Sequence, residues 1–244
     1  CKKFAVQWLD KKMKISVIIP CYNEENTIVQ LLEKVNMQRK NFNLEIIISD
    51  DGSKDQTTKL LEKNKNLFDK LILGEKNRGK GAALSKAIEH STGDIIIFQD
   101  ADLEYDPEDY KKLVEPFIKN QADVVYGSRF IGSSAHRLIY YSHRIANFFI
   151  TNLVNIFTNI NFSDVETGYK VFRRSILEKI TLKENSFGIE IELTMKVAKM
   201  NIKIFEVGIS YNGRSYQEGK KITVKDGFIA IFLIFKFFLI SVGR

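Results

Sequence analysis

The chain has 244 residues, is 44% hydrophobic and carries a formal charge of +7, with a pI near 9.2. That length and apolar content bury a full core as one large α/β domain, or one domain with an appendage, and exclude a disordered chain. The positive balance points to an anionic partner without choosing among nucleic acid, lipid phosphate and phosphorylated small molecules. Only Cys1 and Cys21 occur, in no CxxC pair, so neither a disulfide scaffold nor a zinc site is indicated and a reducing, cytoplasmic setting is the default.

In chain order, residues 1–12 precede "MKISVIIP", which reads as a natural start, so they are expected to be an upstream extension or an expression remnant. The runs "ISVII" (15–19), "LEIIIS" (44–49), "KLIL" (70–73), "DIIIF" (94–98) and "DVVYG" (123–127) are apolar on both faces and predict buried strands of a mainly parallel sheet. Between them, Ile28, Leu31, Leu32 and Val35, and again Tyr110, Leu113, Val114 and Phe117, recur at i, i+3, i+4, i+7 and predict helices with one core-facing stripe. Such a βαβ series predicts a doubly wound sheet whose ligand lies outside the carboxyl ends of the strands. The polar motifs fall there: "PCYNEENT" after the first strand, "SDDGSKDQT" after the second and "QDADLEYDP" after the fourth.

The last of these carries the most chemistry. In an extended chain alternate residues share a face, so Asp100, Asp102 and Glu104 are expected to converge on one point suited to Mg²⁺ or Mn²⁺, with substrate phosphates completing the shell. Asp106 is expected to cap a helix that has Pro107 at its first position, with Glu108 and Asp109 favoured by the helix dipole. In "NRGKGAAL" the glycines and Lys80 precede a helix whose amides can face an anion, although the Walker A spacing is missing.

"VIIPCYNEENTI", "ISDDGSKDQT", "NRGKGAAL", "FQDADLEYDP", "YGSRF", "DVETGYKVFRR" and "GRSYQEGKKI", in this order, resemble the family-2 glycosyltransferases, in particular the dolichyl-phosphate mannose synthase and polyprenyl-phosphate glucosyltransferase branch. The resemblance spans residues 13 to about 235. It implies the GT-A fold and inverting transfer of a hexose, mannose or glucose, from a nucleotide diphosphate sugar to a polyprenyl phosphate. It further implies that Pro20, Tyr22 and Glu24 line the nucleotide pocket, that Asp51 contacts the base, and that Lys80 and Asp100 belong to the nucleotide-sugar site. Asp100 and Asp102 occupy the Asp-x-Asp positions and Glu104 that of a third metal ligand. Arg129, Arg214 and Lys220 are expected to hold the acceptor phosphate, with Arg144 a weaker match. Asp164 matches an acidic position near the acceptor, where it either orients the nucleophile or orders a loop. A phosphate acceptor, with a second pKa of about 6, requires cations more than a strong base.

"FGIEIELTMKV" alternates apolar residues as a strand does, whereas the resemblance implies a helix; on a helix Glu190 and Glu192 lie about 200° apart and cannot serve one site. His90, His136, His143 and Trp8 form no constellation. The domain is expected to run over 13–225. The run 226–244 is expected to form an apolar helix too short to span a bilayer, lying at the membrane surface with Lys236 reaching the headgroups. Asn147 to Phe162 is expected to give a second apolar surface through Phe148, Phe149, Ile150, Leu153, Val154, Ile156 and Phe157. The expected setting is therefore peripheral, at the cytoplasmic face of a membrane, with no nucleic-acid partner. Two alternatives stay open: a glycan hydroxyl acceptor in surface polysaccharide synthesis, which would need a general base, and a non-catalytic nucleotide-sugar-binding protein.

Overall fold

The computed structural model of the chain describes residues 13–132, 137–138, 140–215, 217–218 and 224–242. Seven strands form one sheet in the order β3-β2-β1-β4-β6-β5-β7. They are β1 (Lys14–Cys21), β2 (Asn43–Asp50), β3 (Lys70–Leu73), β4 (Ile95–Phe98), β5 (Val124–Ser128), β6 (Lys170–Arg173) and β7 (Ile204–Gly208). All neighbours pair in parallel except β6, which runs antiparallel between β4 and β5. The five predicted strands are present to within a residue or so at most ends. Sequence reasoning did not identify β6 and β7: β6 is a four-residue strand flanked by charge, and β7 is a half-buried edge strand. The other edge is β3, only partly buried, where burial on both faces had been expected.

The strand period of two divides the core. Ile15, Val17, Ile19, Ile46, Ile48, Ile95 and Ile97 face one layer, whereas Ile18, Ile47, Ile96 and Phe98 face the other. On the first side lie α1 (Ile28–Met37) and, after α2 (Thr57–Lys63) and α3 (Lys80–His90), α4 (Tyr110–Lys119); α1 and α4 bury the two predicted stripes residue for residue. A 3-10 turn, Pro107–Asp109, leads into α4 with the Asp106 side chain accepting from Glu108 N, as the capping pattern predicts. Asp109 does more than favour a dipole: its Oδ2 accepts from the amide and hydroxyl of Ser210, pinning the chain beyond β7.

The second layer holds α3, α5 (Tyr141–Thr158), α7 (Ile189–Val197) and α8 (Val224–Val242), with α6 (Arg174–Leu177) a single turn after β6. "IEIELTMKV" is helical, and nearly every side chain on α7 is buried. That explains its ambiguous pattern: a helix enclosed on all sides has no polar stripe to reveal its period. On α8, Ala230, Leu233, Ile234 and Phe237 enter the core while Phe228, Phe232, Phe235 and Leu239 stay exposed. On α5, Ile150 and Val154, expected on the outer apolar surface, turn inward with Asn147 and Thr151; Phe148, Phe149 and Ile156 remain outside. The two helices meet where the Phe157 ring packs on Phe235 and Phe238, 5.2 and 4.4 Å between centroids. Lys236 does not reach outward. It pairs with Glu184 at 2.7 Å, because a partly buried ammonium is better satisfied by a nearby carboxylate.

Candidate active site

A cavity of about 1050 Å³ lies beyond the carboxyl ends of β1, β2, β4 and β5 and continues to the apolar helices α5 and α8. Pro20, Tyr22, Glu24, Asp51, Lys80 and Asp100 all line it, so the residues implied for the nucleotide sugar are gathered in one place. The loop after β2 is fixed from within. Asp50 accepts from Ser53 N at 2.9 Å and from the Thr58 hydroxyl at 2.7 Å, and Gly52 (φ +75°) lies where a Cβ would fall 2.8 Å from the Lys76 backbone. Asp51 then accepts from the amides of Arg78 and Gly79 at 2.8 and 2.5 Å, joining this loop to the start of α3. One of its oxygens is thereby committed to the protein.

The carboxylates after β4 depart from the expected ladder. The strand ends at Phe98 and residues 101–105 form a series of bends, so alternation no longer brings side chains to one face. Asp100 meets Lys80 at 2.6 Å. Asp102 and Glu104 instead face Arg214, at 2.5 and 3.4 Å, and Glu104 also accepts from Arg214 N and the Tyr211 hydroxyl. Glu24 approaches the same guanidinium at 3.7 Å. Burial, and then Asp100 and Glu104, push the Asp102 carboxyl up to about 7, against the pull of Arg214.

Lys80, the first residue of α3, has its ammonium held by carboxylates. Its ammonium bridges Asp100 and Glu190, 2.9 Å away, and Glu190 also bonds the fully buried Lys170. Burial opposes the charge on Lys80, but Asp100 and Glu190 outweigh it and hold its pKa above the ordinary value. Glu192 points elsewhere, accepting from the amides of Lys183 and Glu184, as the angular separation on a helix requires.

Arg129 and Asp164, identified separately in the sequence, form one unit. The guanidinium donates through Nε and Nη2 to the two Asp164 oxygens, 2.7 Å each, and Arg129 N adds a third bond at 3.1 Å. Asp164 is fully buried, and of the two only Arg129 lines the cavity. Asp164 was expected either to orient the nucleophile or to order a loop; in the fold both its oxygens are taken up by Arg129, a pairing that neither expectation named. Arg144 stacks on Phe130, 5.5 Å from its centroid, and lines the same cavity. Lys220, His136 and Trp8 lie outside the described residues, as do residues 1–12. His90 bonds the Lys86 carbonyl at its own helix end.

Several residues of the site were not identified from sequence. Lys170 donates to the carbonyls of Val165 and Thr167 at 3.0 and 2.5 Å and so shapes the loop that carries Asp164. Tyr105 accepts from Gly168 N at 2.9 Å, and Tyr110 and Tyr169 both donate to the buried Gln99. A Cβ on Gly168 would fall 2.3 Å from Asp100 Oδ2, so the loop packs on that carboxylate and needs glycine. Glu166 lies in the same loop and lines the cavity; burial pushes its carboxyl up to about 7, with Lys170 pulling the other way. Both Glu166 and Lys170 stand in the quoted "DVETGYK", where clustered charge in a short loop between buried elements was the available signal.

A divalent cation fits the donor set in part. Among the described residues no three His, Cys, Asp or Glu side chains form a ligand group. Asp102 and Glu104 face Arg214 whereas Asp100 faces Lys80, so the expected three-carboxylate set is not assembled. Asp100 and Asp102 nevertheless offer two hard oxygen ligands facing a cavity, and Asp102 shares the single guanidinium of Arg214 with Glu104 and Glu24. Two protein carboxylates are what Mg²⁺ or Mn²⁺ uses when phosphates and water complete its shell.

Residues 16–181 match the Glycosyl transferase family 2. A dolichol-phosphate mannosyltransferase of Pyrococcus furiosus is 30% identical over 215 residues, 86% of this chain and 61% of that protein. A dolichyl-phosphate beta-glucosyltransferase of Dictyostelium discoideum is 29% identical over 81% of this chain and 66% of its own length. The chain thus spans about two thirds of either relative or less. Among solved structures, glucosyl-3-phosphoglycerate synthase from Mycobacterium tuberculosis, in complex with Mn²⁺, UDP and phosphoglyceric acid, superposes with a TM-score of 0.65 at 21% identity, over 84% of this chain and 73% of that one. The fold is the GT-A fold of that neighbour. The sheet, the cavity at its carboxyl edge and the family match over two thirds of the sequence agree: the chain belongs to glycosyltransferase family 2.

Proposed function

We propose that the protein transfers a hexose, mannose or glucose, from a nucleotide diphosphate sugar to a polyprenyl phosphate at a membrane surface. The observation that carries this reading is the continuity of the cavity. It runs from Asp100 and Asp102, past Arg129 and Arg214, to Phe149, Phe228 and Ile231 on α5 and α8. Carboxylates suit a metal-bound diphosphate, arginines suit a phosphate, and an apolar wall suits a lipid chain. The names of the relatives at 29–30% identity support the same acceptor class.

In this reading an acceptor phosphate oxygen attacks the anomeric carbon, the bond from that carbon to the β-phosphate oxygen breaks, and the nucleoside diphosphate leaves with inversion. A divalent cation held by Asp100 and Asp102 would neutralise charge developing on the leaving group. Arg129, fixed by Asp164, positions the acceptor phosphate. Arg214 shares that phosphate once its carboxylates are otherwise compensated, and Lys220 is assigned to the same group by resemblance. Because the nucleophile is already ionised near neutrality, the chain needs to orient it and does not need to deprotonate it. Asp51, Pro20, Tyr22 and Glu24 form the nucleotide end, and Lys80 adds a cation beside Asp100.

The exposed aromatic faces of α5 and α8 support membrane contact, since apolar rings bury at the acyl boundary. Among the described residues no helix is long and apolar enough to cross a membrane. Incubation with UDP-glucose and GDP-mannose in turn, with Mn²⁺ and a short polyprenyl phosphate, is expected to yield one glycosylated lipid by mass, lost in EDTA. Product on a glycan hydroxyl and none on the lipid phosphate would reject this assignment.

A further inference from the structure

Among the described residues only three buried side-chain nitrogen or oxygen atoms lack a hydrogen-bond partner: both amide atoms of Asn147 and Oε1 of Glu166. They come from different elements, α5 and the loop before β6, yet both residues line the same cavity. The two elements touch nearby. Thr151, one turn beyond Asn147 on the same face of α5, accepts from Val165 N at 3.3 Å, next to Glu166. Leaving a buried polar atom unsatisfied is costly, and such atoms in a folded protein call for an explanation. On α5, Asn147 also breaks the inward stripe that Ile150 and Val154 continue, with no structural bond in return.

The location narrows what would satisfy them. Two residues before Glu166, Asp164 holds Arg129; two residues after it, Gly168 abuts Asp100. Glu166 therefore lies on the loop between the carboxylate at the diphosphate end and the arginine at the acceptor end. In a nucleotide sugar approached by a phosphate, the group between those ends is the sugar ring. The chemistry agrees. A carboxyl and an amide together accept and donate hydrogen bonds, which suits a polyol. A phosphate would meet repulsion at Glu166, and a hydrocarbon chain would leave all three atoms unsatisfied.

We infer that Asn147 and Glu166 form the subsite that binds the hydroxyl groups of the transferred hexose and discriminates among its epimers. The inference rests on the proposed glycosyl transfer. It is tested by calorimetric titration of the full chain, with Mn²⁺, using whichever of UDP-glucose and GDP-mannose the wild-type protein binds and the matching nucleoside diphosphate. Asn147→Ala and Glu166→Gln are each expected to weaken the nucleotide sugar about tenfold, the equivalent of one lost hydrogen bond, and to leave the nucleoside diphosphate within about twofold. The preference for the natural hexose over its epimer on the same nucleotide should narrow. Melting of the ligand-free variants should be unchanged or higher, because each removes or neutralises an unsatisfied buried group.

Equal weakening of both ligands would overturn the inference, as would a clear loss of ligand-free melting temperature in both variants, which is the mark of a structural role. Unchanged nucleotide-sugar affinity with slower turnover would also overturn it and move Glu166 to the acceptor. Wild-type protein that binds the nucleoside diphosphates but gains nothing from the sugar would overturn the subsite alone. Wild-type protein that binds no nucleotide would reject the proposed function as well.

Discussion

Two of the arginines that face the cavity, Arg129 and Arg214, are held in opposite ways. Arg129 has a dedicated partner, fully buried Asp164, in a two-pronged pair with an added amide bond. Arg214 is shared among Asp102, Glu104 and Glu24, three carboxylates reaching one guanidinium. Burial opposes the charge on both; a single matched carboxylate offsets it for Arg129, whereas several anions do so for Arg214. The first arrangement is a fixture whose charges balance. The second leaves anions in surplus, so an added cation relieves repulsion and frees the arginine for another anion.

The sharpest way to break this comparison is to remove the surplus. Asp102→Asn is expected to reduce transfer by at least about 10³-fold, the scale on which lost electrostatic stabilisation of a leaving group acts, while leaving the circular dichroism spectrum intact. Transfer that persists undiminished would show that the carboxylate is not needed for the metal. Next, Asp164→Ala leaves Arg129 buried without its counter-charge, and chemical denaturation should report a loss of about 3–5 kcal/mol. A loss under about 1 kcal/mol would mean that the pair is not the fixture its geometry suggests. Arg214→Ala should slow turnover about 10²-fold with nucleotide affinity changed less than twofold, in line with the cost of losing a charge-assisted bond in a desolvated site. Weaker nucleotide binding with unaltered acceptor kinetics would place Arg214 on the donor instead.

Smaller effects sharpen the surroundings of the two arginines. Glu166, beside the Arg129 loop, has a folded-state carboxyl raised from 4.5 to about 7. The folded protein therefore holds this proton more tightly than the unfolded chain, so this group's contribution to stability falls as pH rises from about 4.5 to about 7. Glu166→Gln should remove that decline, and a variant whose gain over wild type is as large at pH 5 as at pH 8 would refute the assignment. Finally, Phe232→Ser with Leu239→Ser, on the exposed face of α8, should lower flotation with anionic vesicles several-fold and spare activity on a short-chain acceptor. Equal flotation would confine membrane contact to other surfaces.

The legibility of the site divides along the same line as the arginines. Asp51, Asp100 and Asp102 follow apolar strands directly, and a parallel sheet delivers its strand ends to one edge, so their gathering could be read from local pattern. Glu104 could not be read this way, because its position depended on whether the chain stayed extended past Phe98. The end proposed for the acceptor is assembled from pairs distant in sequence, 35 residues for Arg129 with Asp164 and 112 for Arg214 with Asp102, and no periodicity reports such contacts.

By itself the sequence determined the helices α1 and α4, five strands and the cap at Asp106, because each rests on spacing within a few residues and on the burial of one apolar face. The family motifs added which polar side chains share a cavity. Only the tertiary structure decided which carboxylate meets which cation, that Lys236 turns to Glu184, and that α5 buries Ile150 while exposing Phe148. It alone left both amide atoms of Asn147 and Oε1 of Glu166 without hydrogen-bond partners among the described residues. The reason is physical: period and capping are local properties of the chain, whereas charge pairing in a buried site is chosen by whichever groups the fold brings within reach, where desolvation makes every pairing count.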